Sequence, residues 1–128
     1  MKIEMKKAIL FSVIVVLWIT TSYSNAQSIP SKKILIVYLS RTKSTKAIAE
    51  IIQKNIGGSL IELELVKPCP ENYKATVQQL VEENAKRFLP PLKTKIDSPQ
   101  NYDVIFIGFP TWDMQMPPPV KSFCTNMI

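Results

Sequence analysis

The segment of this chain best equipped for chemistry is a run of hydroxyl and basic side chains, Ser40-Arg41-Thr42-Lys43-Ser44-Thr45. It stands between an apolar, β-branched run (KILIVYL, residues 33–39) and a stretch with helical periodicity. A hydroxyl-rich turn opening a helix is suited to an anion, because the first N–H groups of the helix and its dipole point at the turn. Arg41 and Lys43 would add positive charge, and Ser40, Thr42, Ser44 and Thr45 would add hydroxyl donors for a phosphate. The same residues also allow a plain reading, in which Ser44 or Thr45 merely caps the helix. A second loop, Pro110-Thr111-Trp112-Asp113 and onward to residue 116, offers an aromatic surface and a carboxylate. Trp112 there suits either stacking on a planar ring or plugging the top of a core. Asp113 suits either a polar ring edge or a turn.

The elements that must position these loops follow from hydropathy. Residues 33–39 and 103–109 are continuous apolar runs, as expected for strands of a parallel sheet buried on both faces. Residues 59–66 (SLIELELV) alternate instead, which predicts a more exposed strand at a sheet edge. Ala47, Ile48, Ile51, Ile52 and Ile56 form a helical stripe ended by Gly57-Gly58. A second helix is predicted over residues 73–88, with Tyr73, Val77, Leu80, Val81, Ala85 and Phe88 in register and Pro90-Pro91 as its stop. A third is expected to begin at Pro117-Pro118-Pro119, since proline is tolerated in a first turn. The order β-α-β-α-β-α argues for an α/β fold with a parallel sheet and right-handed crossovers. Ligands of such sheets bind beyond the carboxyl ends of the strands, where the two loops lie.

Composition narrows the chemistry. At 46% hydrophobic and 20% charged residues the 128-residue chain reads as one ordinary globular domain. It has no histidine, so the commonest general base and metal ligand are missing and no metal site is expected. Nor is any residue assigned as catalytic: no convergent carboxylate pair is visible, which counts against a hydrolase. Cys69 and Cys124 show neither metal-site nor CxxC spacing. The net charge of +6 is partly due to Lys2, Lys6 and Lys7, and the remaining lysines are scattered, so no nucleic-acid partner is expected.

Residues 1–26 have the three parts of a secretory signal: a basic start, an apolar stretch over residues 8–19, and Ser24-Asn25-Ala26 at the cleavage position. The apolar stretch falls short of the roughly 20 residues that span a bilayer. Export to the periplasm or exterior is therefore expected, with cleavage after Ala26 and a domain over residues 27–128. Membrane association would arise only through an uncleaved leader.

Taken together, KILIVYLSRTKSTKAIAEII resembles the opening strand, phosphate loop and first helix of the flavodoxin family. KPCPENY and YDVIFIGFPTWDMQMPPPVKSF further on are similar to its short-chain branch. The resemblance runs from residue 33 to 123. It implies a flavodoxin-like open parallel sheet with helices on both faces and non-covalent FMN. The FMN phosphate would lie at Ser40, Arg41, Thr42, Lys43, Ser44 and Thr45, and its ring near Pro110, Thr111, Trp112 and Asp113. It also implies one- or two-electron transfer, with a redox protein as partner.

Two departures stand out. Lys43 occupies a position usually held by glycine; a positive φ there would cost ~1 kcal/mol. The family's sheet has strand order 2-1-3-4-5, and the sequence carries the pattern of the first three strands only. The expectation is a domain lacking the last two βα units, with an open edge on the third strand, marginal stability, self-association through that edge and weakened FMN binding. A fragment that binds flavin weakly or not at all is the alternative.

Overall fold

The computed structural model describes residues 31–127. The expected leader and its cleavage site at Ala26 lie outside the described residues. Three parallel strands, β1 (Ile34–Tyr38), β2 (Ser59–Glu62) and β3 (Val104–Gly108), form a sheet in the order β2-β1-β3. Helix α1 (Ser44–Ile56) joins β1 to β2, α2 (Tyr73–Ala85) lies in the crossover to β3, and α3 (Pro118–Asn126) follows β3. The element types and order match the sequence reading.

β1 is central, and its register aligns Tyr38 with Glu62 on one side and Gly108 on the other. Alternate residues of β1 serve two cores. Leu35 and Val37, with Leu39 just past the strand, join Leu80 of α2 and Val120 and Phe123 of α3, while Ile36 and Tyr38 join Ala49 of α1. Burial of β1 on both faces explains its unbroken apolar run.

Several boundaries differ from expectation for physical reasons. The alternating run 59–66 was expected to be one strand, but pairing with β1 ends at Glu62. Beyond it the chain turns to the segment after α2: Leu65 bridges Leu92, the Glu64 carbonyl accepts from Lys93 N at 2.7 Å, and Glu64 N donates to Thr94 Oγ1. Helix α2 stops at Ala85, short of Phe88, because Arg87 adopts φ 52°. Arg87 N then donates to the Asn84 carbonyl and Phe88 N to the Glu83 carbonyl, the paired bonds of a Schellman end built without glycine. The apolar β3 was expected to be fully buried, yet its residues are half-buried and Phe106 is exposed. Among the described residues β3 has a strand neighbour only on the β1 side.

The stripe of α1 is rotated from its expected face. Ala49 is buried and Ile52 packs beside it, whereas Ile48, Ile51 and Ile56 are exposed. Thr45, Ala49 and Ile52 are spaced to share one helical face. Small residues at its top let the helix start lie close to β3: a Cβ on Gly108 would sit 3.2 Å from Thr45 Cγ2.

Candidate functional site

Backbone bonds hold the carboxyl end of β1 on both sides. Leu39 N donates to the Gly108 carbonyl at 2.9 Å, and Leu63 N donates to the Tyr38 carbonyl at 2.7 Å. From this anchored end the hydroxyl-rich loop departs into α1.

Lys43 is the residue that turns the loop into the helix, with φ 66° and ψ −3°. The lysine therefore stands in the left-handed conformation that the resemblance to a glycine position implied, at a cost of roughly 1–2 kcal/mol. No side chain caps the helix start, so the plain capping reading of Ser44 and Thr45 does not hold. The hydroxyls of Thr42 and Ser44 lie 3.4 Å apart at the exposed turn. The first N–H groups of a helix have no intrahelical acceptor, and here no capping side chain supplies one. Ser40 Oγ is buried at the base of the loop without a hydrogen-bond partner among the described residues. A buried hydroxyl left unpaired is costly, so Ser40 is a candidate contact for a ligand at the loop.

Charge around the loop is positive but unequally free. Arg41 donates from its guanidinium to the Glu71 carbonyl and lies 5.5 Å from the centre of the Tyr73 ring. It thus ties the loop to the start of α2, which Asn72 caps by accepting from Ala75 N. Lys43 is exposed at the turn. An uncapped helix start, an orphaned hydroxyl and adjacent cations form a cradle whose chemistry suits a phosphate.

The second loop is organised differently. Trp112 is only 9% exposed and belongs to the core cluster with Leu39, Leu63 and Phe123. Of its two sequence readings, the described structure displays the core plug. Gln115 N closes a tight turn onto the Trp112 carbonyl at 3.1 Å. Asp113 and Met114 occupy it with φ 52° and 53°, a geometry that normally selects Asn-Gly. Asp113 and Thr111 are exposed, Pro110 is half-buried, and Met114 at the tip is almost wholly exposed.

A cavity of about 530 Å³ joins the two loops. Ser40, Arg41 and Trp112 line it; Thr42, Lys43, Ser44, Thr45, Pro110, Thr111 and Asp113 do not. Most of its wall comes from residues the sequence reading passed over, including Leu63, Val66, Pro68, Cys69 and Thr76. These follow β2, a third strand whose carboxyl end faces the same side. The KPCPENY segment was the available signal, but its residues suggested no chemistry by type. Burial pushes the Cys69 thiol up from its ordinary value; Glu83 acts in the same direction and Arg41 against it. No group of three or more acidic, cysteine or histidine side chains poised for a metal occurs among the described residues.

The flavodoxin family model matches residues 33–127. Among solved structures, a flavoprotein in complex with FMN from Lactobacillus acidophilus NCFM is 27% identical, with a TM-score of 0.70 over 75% of this chain and 66% of that one. A candidate flavoprotein from Bacteroides eggerthii is 29% identical, with a TM-score of 0.66 over 74% of this chain and 62% of the other. One from Bacteroides uniformis, 24% identical with a TM-score of 0.57, shares the fold over 74% of this chain and 64% of its own length. The chain thus spans just under two thirds of each neighbour. No curated protein matches it. The parallel β2-β1-β3 sheet, the loop leading from β1 into an uncapped helix and the family match over nearly all described residues lead to one assignment: the chain belongs to the flavodoxin family.

Proposed function

We propose that the protein binds FMN non-covalently and serves flavin-dependent electron transfer. The observation that carries this reading is the start of α1, where no side chain caps the helix and Ser40 Oγ is buried without a partner. Family membership and the FMN-bound neighbour support FMN as the ligand. Ser40, Thr42, Ser44 and Thr45 would hold the phosphate by hydroxyl and backbone donors, with Lys43 adding charge. Arg41, already engaged with Glu71 and Tyr73, would stiffen the loop. The flavin supplies the redox chemistry when bound, and the chain orients it. Pro110, Thr111 and Asp113 flank the ring in this reading, while Trp112 braces their loop from the core. A redox protein would be the electron partner, and the edge of β3 that lacks a strand neighbour among the described residues a surface for self-association. Export by cleavage after Ala26 belongs to the same proposal; a mature amino terminus at Gln27 would support it.

The test separates the phosphate from the ring. Charge-assisted bonds contribute about 1.5–3 kcal/mol each, so FMN should quench and bind at least tenfold more tightly than riboflavin, which lacks the phosphate. Ser40→Ala should narrow that gap. Equal affinity for the two flavins would remove the proposed role of the loop.

A further inference from the structure

We propose that the cavity walled by Leu63, Val66, Pro68 and Trp112 binds a neutral, largely apolar small molecule, at a site that meets the phosphate cradle only at Ser40 and Arg41. Its size, about 530 Å³, falls in the range of small-molecule sites, and so does its make-up of apolar walls with few polar groups. The charges around it are already engaged. Lys93 Nζ pairs with Glu64 Oε2 at 2.8 Å, and Arg41 is held by the Glu71 carbonyl and the Tyr73 ring. Thr76 is likewise committed, its hydroxyl donating to the Pro70 carbonyl at 2.7 Å. Cys69 lines the wall with a thiol kept neutral by burial. A charged ligand would lose its hydration here and find no unpaired counter-charge, whereas a neutral ring system would gain apolar contact. The cavity reaches Ser40 and Arg41 but stops short of residues 42–45, so a phosphate over the start of α1 and a ligand beneath Leu63 meet only at its edge.

The experiment uses the full chain and two forms of one fluorophore. N-phenyl-1-naphthylamine is neutral, and 8-anilino-1-naphthalenesulfonate adds a single negative charge. The neutral probe should bind saturably at one site and the sulfonate about tenfold more weakly or worse, since its charge must be desolvated. Bound neutral probe should slow alkylation of Cys69 by N-ethylmaleimide, read by peptide mapping, while Cys124 is unaffected. Val66→Trp, at a residue 62% exposed, should abolish probe binding without unfolding the protein. Saturating FMN should leave the probe's affinity unchanged. Equal binding of both probes, protection of neither cysteine or of both, or competitive displacement by FMN would overturn the proposal, the last because the cavity would then be the flavin's own. Probe binding in a protein that fails to take up FMN would sink the FMN reading and leave this one standing.

Discussion

The two faces of the sheet are built from alternate residues of one strand yet differ in depth. On the face covered by α2 and α3, Leu35 and Val37 are completely buried among Leu80, Val120 and Phe123, with Ile105 and Ile107 of β3 beside them. On the other face Ile36 and Tyr38 are nearly as buried, but α1 is the single helix there among the described residues, and the cluster closes with Ala49. Around that small cluster Ile48 and Ile51 are each 60% exposed and Phe106 is 38% exposed. The strand residues do not set the difference, since β1 is equally apolar on both sides. The number of described helices on each face does. The phosphate cradle sits at the head of α1, on the thin face, and owes its position to backbone bonds at the end of β1; the apolar cavity opens beside the thick one.

The sharpest test of that contrast is truncation on each face. Leu35→Ala should cost about 2–5 kcal/mol, the range for a fully buried leucine in a packed core. Ile52→Ala, half-buried against Ile36 and Tyr38, should cost clearly less, because solvent already reaches the site. Urea denaturation of both variants reads the difference directly. Equal losses would mean that the α1 face is as well packed as the other and would break the comparison.

How much of this was legible in the sequence divides along the same line. The strands, helices and crossover order could be read because β1 and β3 are unbroken apolar runs and glycine and proline mark the ends of elements. Lys43 was legible through the resemblance, since a glycine position carries a conformation with it. The orientation of α1 was not. Its isoleucines repeat with helical period, but close approach to Tyr38 and Gly108 favours the side with Thr45 and Ala49, and hydrophobicity alone ranks those residues low. Likewise, the strained Asp113-Met114 turn carries no glycine to announce it. The cavity behind Leu63 depends on a chain segment leaving the sheet after Glu62, and the alternating pattern of residues 59–66 hides that departure.

Tyr38 offers an intermediate effect on the thin face. Its hydroxyl donates to Glu62 Oε2 at 2.9 Å. Burial, then the bond to Glu62 and the charges of Glu62 and Glu50, push the phenol from 10.0 up to about 12. The folded state therefore keeps this proton at a pH where the unfolded chain releases it. The resulting stability is complete below pH 10 and is lost as pH rises toward 12. Tyr38→Phe should cost about 1 kcal/mol at neutral pH, the usual worth of one such hydrogen bond. It should also flatten the alkaline decline between those two values. A variant whose stability falls with pH as steeply as the parent would show that Tyr38 is not the group responsible.

The smallest expected effect is the most direct check on the rotated helix. Ile51→Lys places a charge within the apolar stripe that the sequence pattern marks as the inner face of α1. Were that face inward, an unpaired lysine among Ile36, Tyr38 and Leu60 would cost several kcal/mol, because desolvation would have no compensating partner. With Ile51 60% exposed, the ammonium stays in water and its stem lies along the helix. Lysine is at least as good a helix former as isoleucine, and the like charge of Lys54 one turn on costs only a few tenths of a kcal/mol. The change in unfolding free energy should stay within about 0.5 kcal/mol. A loss comparable to that of Leu35→Ala would place Ile51 in the core and return the helix to the face its isoleucines suggest.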